Sequence, residues 1–581
     1  MKINRNIFWT ENFFDRLSNL GVKFICISPG SRSTALTLAA ASNKSFKCFV
    51  HIDERSSAFF ALGLAKATGI PAVLITTSGT AAAELYPAVI EAYQQRIPLI
   101  ICTADRPPEL IGRGANQTIN QHNLYSNHIR YFKDAGLPGP TASAIRRIRR
   151  YAGEAFTHSE EGPVHINFPF RKPFEPDTFT DEVNEITLKM IEAHRVGESV
   201  FLKRNVTPGR NIYKEILRCV NESTNGLILA GPMNYESNTK NQLLGLSEKL
   251  NYPVIADACS QLRYGNKSKN IMVNYEAFLR NEKFINEYRP DVILHFGRTP
   301  SSKAVENWIG KIPAKRYIIN EYGDVFDPWN NASGICKSSP SLFCSMLVED
   351  TEKKNSPDWL NHYIQADNTA GKFKVELTGK LSFSNECAII PEVLNNLPDN
   401  SHLMISNSMS VRDLDYFSQQ TEKRIIVHFN RGASGIDGIL STSLGIQKAL
   451  NKPAALITGD MAFYYDITSL LTAVKYKIPL VVILINNNGG AIFGMLPVSS
   501  YGKKFKDYFI NPHNLNFASI VKSFGADYNI IRNREELKKS MAAAFKGKKL
   551  TVLEIKTDMK ASIKMRNEYF RKAGSLPEGI E

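Results

Sequence analysis

The segment Ile457–Leu496, ITGDMAFYYDITSLLTAVKYKIPLVVILINNNGGAIFGML, constrains the fold more than any other part of the chain. A short apolar run, Ala454–Thr458, closes on Gly459-Asp460. A helical stretch follows over Ile467–Lys475, and a second apolar run, Leu480–Ile485, ends in Asn486-Asn487-Asn488-Gly489-Gly490. Two strands joined by a helix form a parallel crossover, and ligands of parallel sheets sit just outside the carboxyl ends of the strands. Asp460 and Asn487 are therefore predicted to meet in space. A carboxylate, an amide oxygen and a free backbone carbonyl make an oxygen-only set that suits Mg²⁺ or Ca²⁺. Three such ligands are too few for a protein cage, so the cation would complete its shell with water and phosphate oxygens. Gly489 and Gly490 permit close backbone approach. The stretch reads as a metal–diphosphate clamp, and the competing reading is an ordinary strand–helix–strand unit with a polar turn.

At 581 residues the chain is too long for one core and holds three domains of ordinary size. With 43% hydrophobic and 22% charged residues it is a globular sequence. No apolar run reaches the ~18 residues that span a bilayer, and the N-terminal MKINRNIFWTENFFDRL reads as an amphipathic helix rather than a signal peptide. Eight cysteines are scattered without CxxC spacing, several in apolar strands, which points to free thiols in a reducing, cytoplasmic setting. Lys and Arg number 71 against 56 Asp and Glu, a net charge of +15. The basic residues are dispersed. Clusters such as Arg146–Arg150 and Lys546–Lys549 carry no interleaved aromatics. Small anionic ligands therefore fit the positive field better than nucleic acid does.

Strand–helix alternation predicts three doubly wound parallel-sheet domains, an α/β fold, over 1–180, 195–350 and 375–581. In the first, the strand Phe24–Ile27 runs into Ser28-Pro29-Gly30-Ser31-Arg32-Ser33-Thr34 and a helix. That turn offers backbone N–H groups to an anion, and Arg32 adds a fork suited to a carboxylate; a capped turn with an exposed arginine competes. Phe46–Ile52 delivers Asp53-Glu54-Arg55 to the next helix, where a carboxylate is often only a favourable N-terminal charge. Ile97–Thr103 leads to Arg106, and the loop Gly112–Thr118 follows. Gly162–Phe170 closes the domain, and Glu175–Glu192 reads as a linker. The second unit carries a glycine-and-basic loop, Gly297–Lys303, and ends in a polar linker, Glu349–Pro357. In the third, Leu403–Ser406 leads to Asn407–Arg412, and Ile425–Phe429 to Asn430–Gly438.

Gly-Asp followed at this distance by Asn-Asn resembles the thiamine-diphosphate motif of the decarboxylase superfamily. SPGSRST (Ser28–Thr34), TADRPPE (Thr103–Glu109), GANQTI (Gly114–Ile119), Asn407-Ser408 with Arg412, NRGASGIDG (Asn430–Gly438) and NNNGGAIF (Asn486–Phe493) narrow it. Together they resemble the synthases of the menaquinone pathway that join 2-oxoglutarate to isochorismate with loss of CO₂. The resemblance implies thiamine diphosphate and Mg²⁺, for which Mn²⁺ can substitute, as cofactors. Asp460, Asn487 and the Gly489 carbonyl are the implied metal ligands; Glu54, Ser408, Ile436 and Gly459 join them around the cofactor. Glu54 is the implied acid–base partner of the aminopyrimidine. Ser31, Arg32, Arg106, Asn116, Gln117, Lys303, Ser408, Arg412 and Arg431 are the implied substrate contacts, with Ile492, Phe493 and Leu496 as apolar wall, for which core packing competes. Among them Arg32, Arg106, Gln117, Arg412 and Arg431 stand with Glu54 as catalytic candidates. The family pattern often has Lys-Arg in the central loop; here Ala304 follows Lys303, and Arg298 is the nearest substitute. Such enzymes place the cofactor between two subunits, so a homodimer or tetramer is implied. Other readings are a different thiamine-diphosphate carboligase, a non-catalytic binding protein on the same fold, and a nucleic-acid binder.

Overall fold

The structure is a computed structural model that describes residues 1–196, 206–352 and 356–574. The predicted linker Glu349–Pro357 lies partly outside the described residues, as do the opening residues 197–205 of the second unit and the last residues, 575–581, of the third.

Three six-stranded sheets, each parallel throughout, organise the chain. In the first, the strands stand in the order Lys47–Val50, Phe24–Ile27, Ala72–Thr76, Leu99–Asp105, Val164–Pro169, Tyr131–Asp134. The third runs Ile425–Phe429, Ser401–Ile405, Ala454–Gly459, Val481–Asn486, Thr551–Lys556, Asp527–Ile530. Numbered within each sheet, both follow 2-1-3-4-6-5. The central sheet follows 3-2-1-4-5-6, from Ile271–Met272 through Val254–Ala256, Gly226–Ala230, Val292–Phe296 and Lys315–Asn320 to Gly334–Lys337. Strands such as Leu99–Asp105 and Val481–Asn486 are buried along their whole length because helices cover both faces. Most apolar runs read from the sequence are inner strands; Phe46–Ile52 and Ile425–Phe429 fall at edges, and the inner strand Lys315–Asn320 was not read. The edge strands Tyr131–Asp134 and Asp527–Ile530 were not legible because they are polar and half-exposed.

Two helices fasten the first sheet to the third. Glu54–Thr68 is capped by the Asp53 side chain on the Ser56 N–H (3.1 Å) and stopped by Gly69 in the left-handed region. Its residues from Ser56 to Ala65 are all buried, as expected of a helix enclosed between layers rather than laid on a surface. It packs against Ile439–Leu450 at two glycines. A Cβ on Gly63 would lie 2.1 Å from the Thr442 carbonyl oxygen, and one on Gly445 2.1 Å from that of Phe60. Phe60, Leu64, Leu444 and Ile446 belong to one continuous core shared by both sheets.

The stretch expected to be a linker, Glu175–Glu192, is instead tied to the first unit. Asp181–Glu182 pairs with Lys2–Ile3, Arg5 holds Asp181 at 2.6 Å, and a helix spans Glu185–Val196. Its polar composition reflects an exposed surface layer rather than a free connection. No helix among the described residues is long and apolar enough to cross a membrane, and the eight cysteines are free.

Candidate active site

In a 2-1-3-4-6-5 sheet the chain reverses between the first and third strands, and a crevice opens at their carboxyl ends. In the first sheet, that crevice is a cavity of about 740 Å³ lined by Ser31, Arg32, Glu54, Arg106, Asn116 and Gln117. Every first-unit candidate is thus in one place. Thr77, Thr80, Glu84, Lys172 and Phe174 complete the wall and were not anticipated.

The two guanidinium groups are built in from behind. Arg32 donates to the Phe170 carbonyl (2.7 Å) and lies over the Phe174 ring, 4.7 Å from its centroid. Arg106 donates to the buried Ser78 hydroxyl, whose backbone carbonyl accepts from Gln117 Nε2 at 3.0 Å. Gln121, fully buried, accepts from the Gly79 N–H (3.0 Å) and donates to the Ala104 carbonyl (3.2 Å), binding the two loops together. Among the described residues neither Arg32 nor Arg106 has a salt-bridge partner. Burial lowers the pKa of both, and the Arg106 charge adds to the effect on Arg32. Glu54 is half-buried. Burial raises its pKa, and the charges of Asp53 and Glu84 push in the same direction. The cavity holds positive charge that a carboxylate or a diphosphate would compensate.

The third-sheet crevice carries a different set. Asp460 begins the helix Asp460–Tyr465 directly after its strand, so the carboxylate sits at a helix N-terminus. The expected helix Ile467–Lys475 is shortened to Ser469–Lys475. Asp460 is 2% exposed; its Oδ2 accepts from the Gly489 N–H at 3.1 Å and lies 3.2 Å from His513 Nε2. Burial raises its pKa, against the pull of His513. Gly489 has φ +143°, and a Cβ there would lie 2.3 Å from the Ile510 carbonyl oxygen. Asn487 Oδ1 is buried without a hydrogen-bond partner, while its Nδ2 donates to Glu386 at 2.8 Å. An orphaned amide oxygen two residues from the glycine that a buried carboxylate holds fits a hard cation, and the described residues include no cluster of His, Cys, Asp and Glu that would hold one by itself.

Two further loops border this crevice. Ser408 adopts φ +69°, ψ −129°, a region a serine occupies only where the surroundings impose it; its carbonyl accepts from Arg412 Nη1 at 2.6 Å. Asn407 joins the loops by donating to the Asn430 and Gly435 carbonyls (2.7 and 2.6 Å) and accepting from Arg431 Nη1 at 3.2 Å. Glu91 of the first unit accepts from the Gly432 and Ala433 N–H groups at 2.8 and 2.7 Å. Half-buried Lys66 donates to the Phe429 carbonyl and to Asn430 Oδ1, and desolvation lowers its pKa to about 8. Glu91 and Lys66 were missed because each looks like a solvated helix charge in the sequence. Ile436, Ile492 and Phe493 are half-buried and Leu496 is 47% exposed, so none is a core residue.

The cavity around Arg32 includes no third-sheet residue. Lys303 lies outside both groups; it begins the helix Lys303–Ile309, exposed and paired with Glu306 at 3.0 Å. Arg298 points into the junction with the first unit, donating to the Gln94 carbonyl at 2.6 Å.

Three family descriptions match the chain in order: thiamine pyrophosphate enzyme, N-terminal TPP binding domain, over residues 9–124; middle domain of thiamine pyrophosphate, over 206–405; and thiamine pyrophosphate enzyme, C-terminal TPP binding domain, over 409–555. The crystal structure of benzoylformate decarboxylase from Polynucleobacter necessarius superposes with a TM-score of 0.71 at 16% identity, covering 96% of this chain and 99% of that one. The thiamine diphosphate-dependent 4-hydroxybenzoylformate decarboxylase of Rhodococcus jostii gives 0.70 at 14%, covering 95% and 99%. The fold and its domains are those of a thiamine-diphosphate-dependent enzyme. Among sequence relatives, the 2-succinyl-5-enolpyruvyl-6-hydroxy-3-cyclohexene-1-carboxylate synthases of Haloquadratum walsbyi and Bacillus velezensis are each 35% identical, over 97% of this chain and 97% and 96% of theirs. That of Listeria welshimeri is 36% identical over 94% of both. The chain belongs to the 2-succinyl-5-enolpyruvyl-6-hydroxy-3-cyclohexene-1-carboxylate synthase family. It is a thiamine-diphosphate-dependent transferase of menaquinone biosynthesis.

Proposed function

We propose that this chain, with thiamine diphosphate and Mg²⁺ or Mn²⁺, decarboxylates 2-oxoglutarate and joins the remaining four-carbon unit to isochorismate, giving 2-succinyl-5-enolpyruvyl-6-hydroxy-3-cyclohexene-1-carboxylate and CO₂. The observation that carries this reading is the pair of guanidinium groups, Arg32 and Arg106, without a salt-bridge partner among the described residues, in the same cavity as Glu54. Both substrates are dicarboxylates, and planar arginine forks match carboxylates.

Bound thiamine diphosphate supplies the carbon nucleophile and the electron sink for decarboxylation and carbon–carbon bond formation. Asp460, Asn487 Oδ1 and the Gly489 carbonyl hold the metal, and Gly459, Ser408 and Ile436 border the cofactor. Glu54 holds a proton toward the pyrimidine ring, a task that its raised pKa favours. Arg32 and Arg106, with Ser31, Asn116 and Gln117, orient one set of carboxylates. Arg412, Arg431 and Ser408 orient the other from the third sheet, Lys303 adds charge from the central unit, and Ile492, Phe493 and Leu496 exclude water. No third-sheet residue lines the cavity around Arg32, which favours a homodimer or tetramer in which a second copy completes the site. Exposed Ile52, Tyr464, Tyr465 and Leu471 beside the start of helix Glu54–Thr68 suit such a contact. The free cysteines agree with a reducing compartment, the cytoplasm.

Purified protein incubated with Mg²⁺, thiamine diphosphate, 2-oxoglutarate and isochorismate is expected to yield product of the stated mass only when all four are present. Release of CO₂ without ring addition would overturn isochorismate as acceptor. Cofactor binding with neither reaction would point to a different carboligase.

A further inference from the structure

We infer that Glu386 is a positioning residue for the metal: it sets the orientation of the Asn487 carboxamide and is itself held by Arg566, which fastens the substrate helix with the same guanidinium. This rests on the assignment of Asn487 as a metal ligand proposed above.

Glu386 is 2% exposed. Its Oε1 accepts from Asn487 Nδ2 at 2.8 Å and from Thr557 Oγ1 at 3.1 Å, and its Oε2 accepts from Arg566 Nη2 at 2.6 Å. An ionised carboxylate only accepts, and a carboxamide offers one donor end and one acceptor end. The Asn487 amide must therefore turn its NH₂ to Glu386, which leaves Oδ1 buried and without a partner. Oriented the other way, the amide would set oxygen against oxygen at Glu386 and present two N–H groups, useless to a cation, on its other side. Partners of this kind fix which atom of a metal ligand faces the ion.

Arg566 is fully buried on the helix Met559–Ala573. Besides Glu386 it holds both oxygens of Asp413, the Nε contact measuring 2.8 Å. Asp413 follows Arg412 on the helix Met409–Phe417. One buried cation thus ties the orientation of a metal ligand to the placement of a substrate arginine. The helix Met559–Ala573 also supports the 491–495 turn, where a Cβ on Gly494 would meet Ile563 at 2.3 Å.

The test is Mg²⁺ affinity of the full chain with saturating thiamine diphosphate, read by calorimetry or by Mn²⁺ paramagnetic resonance, alongside the thermal midpoint. Glu386→Gln keeps the shape but offers an N–H that invites the amide to flip. It is expected to weaken metal binding about 10–100-fold and to have no further effect in an Asn487→Ala background. Unchanged affinity, or an equal loss in both backgrounds, would overturn the inference. Should Glu386→Gln not fold, Asn487→Asp leaves residue 386 intact. An added carboxylate ordinarily tightens a hard-cation site, but here it would face Glu386 and is expected to weaken binding at least tenfold; unchanged or tighter binding would overturn the inference. If the wild-type chain itself binds no metal with thiamine diphosphate present, the ligand assignment falls and this inference with it.

Discussion

The first and third sheets share a strand order and open their crevices at the same reversal, yet they end in opposite chemistry. The first presents Arg32 and Arg106 around a half-buried Glu54. The third presents an aspartate, an amide and a carbonyl, with arginines set further out. Topology alone therefore makes a place for a ligand, and a few residues at the strand ends decide what chemistry that place offers. The central sheet shows the same rule by contrast. Its order is 3-2-1-4-5-6, and at its reversal Gly231 and Gly297 pack backbone to backbone, which leaves only a smaller cavity of about 220 Å³ beside Pro232, Gly297 and Arg298. A Cβ on Gly231 would fall 1.6 Å from the Arg298 carbonyl oxygen.

If the division is correct, the largest effects separate holding from reacting. Asp460→Ala is expected to abolish Mg²⁺-dependent binding of thiamine diphosphate and to lower turnover by roughly 10³-fold or more, about 4 kcal/mol. Glu54→Gln should lower kcat by about 10²–10⁴-fold while metal binding stays near wild type. Calorimetry beside steady-state kinetics checks both, and equal loss of binding in the two variants would break the comparison.

Acid should next loosen the seam between the two sheets. His51 is buried there, its Nδ1 3.1 Å from Thr472 Oγ1, and burial, reinforced by the Lys475 charge, lowers its pKa to about 4. Above pH 6.5 both folded and unfolded chains carry it neutral. As pH falls from about 6.5 to 4 only the unfolded chain gains the proton, so stability is lost across that window, up to about 3 kcal/mol for this one group. The thermal midpoint is expected to fall between pH 7 and 4.5, and to fall less in His51→Asn.

Within the arginine half, Arg32→Ala removes a charged hydrogen-bonding fork and should raise the KM of one substrate about 10–50-fold, roughly 2 kcal/mol, with kcat less affected. The smallest effect is expected at Lys303→Ala. That ammonium is exposed and already paired with Glu306, so KM for isochorismate should rise only about two- to fivefold, under 1 kcal/mol. No change in either Lys303→Ala or Arg298→Ala would remove the central loop from the site.

Much of this was legible in the residues. The apolar runs named most of the inner strands, because a strand covered on both faces must be apolar along its length; Lys315–Asn320 escaped, and Ile425–Phe429 proved an edge. The turns after those strands pointed to Arg32 and Arg106, and the family resemblance to Glu54 and Gln117; the fold collects all four in one cavity. The linker reading of Glu175–Glu192 failed because a polar surface layer and a free connection have the same composition.

The sequence by itself determined which residues stand at the ends of strands, since apolar runs and glycine-bearing turns are local signals. Only the tertiary structure decided the sheet orders, which depend on pairings between strands far apart in the chain. It alone exposed the buried polar framework of Glu386, Arg566, Glu91 and Gln121. Each of these looks like any surface residue until burial removes water and obliges it to find a partner.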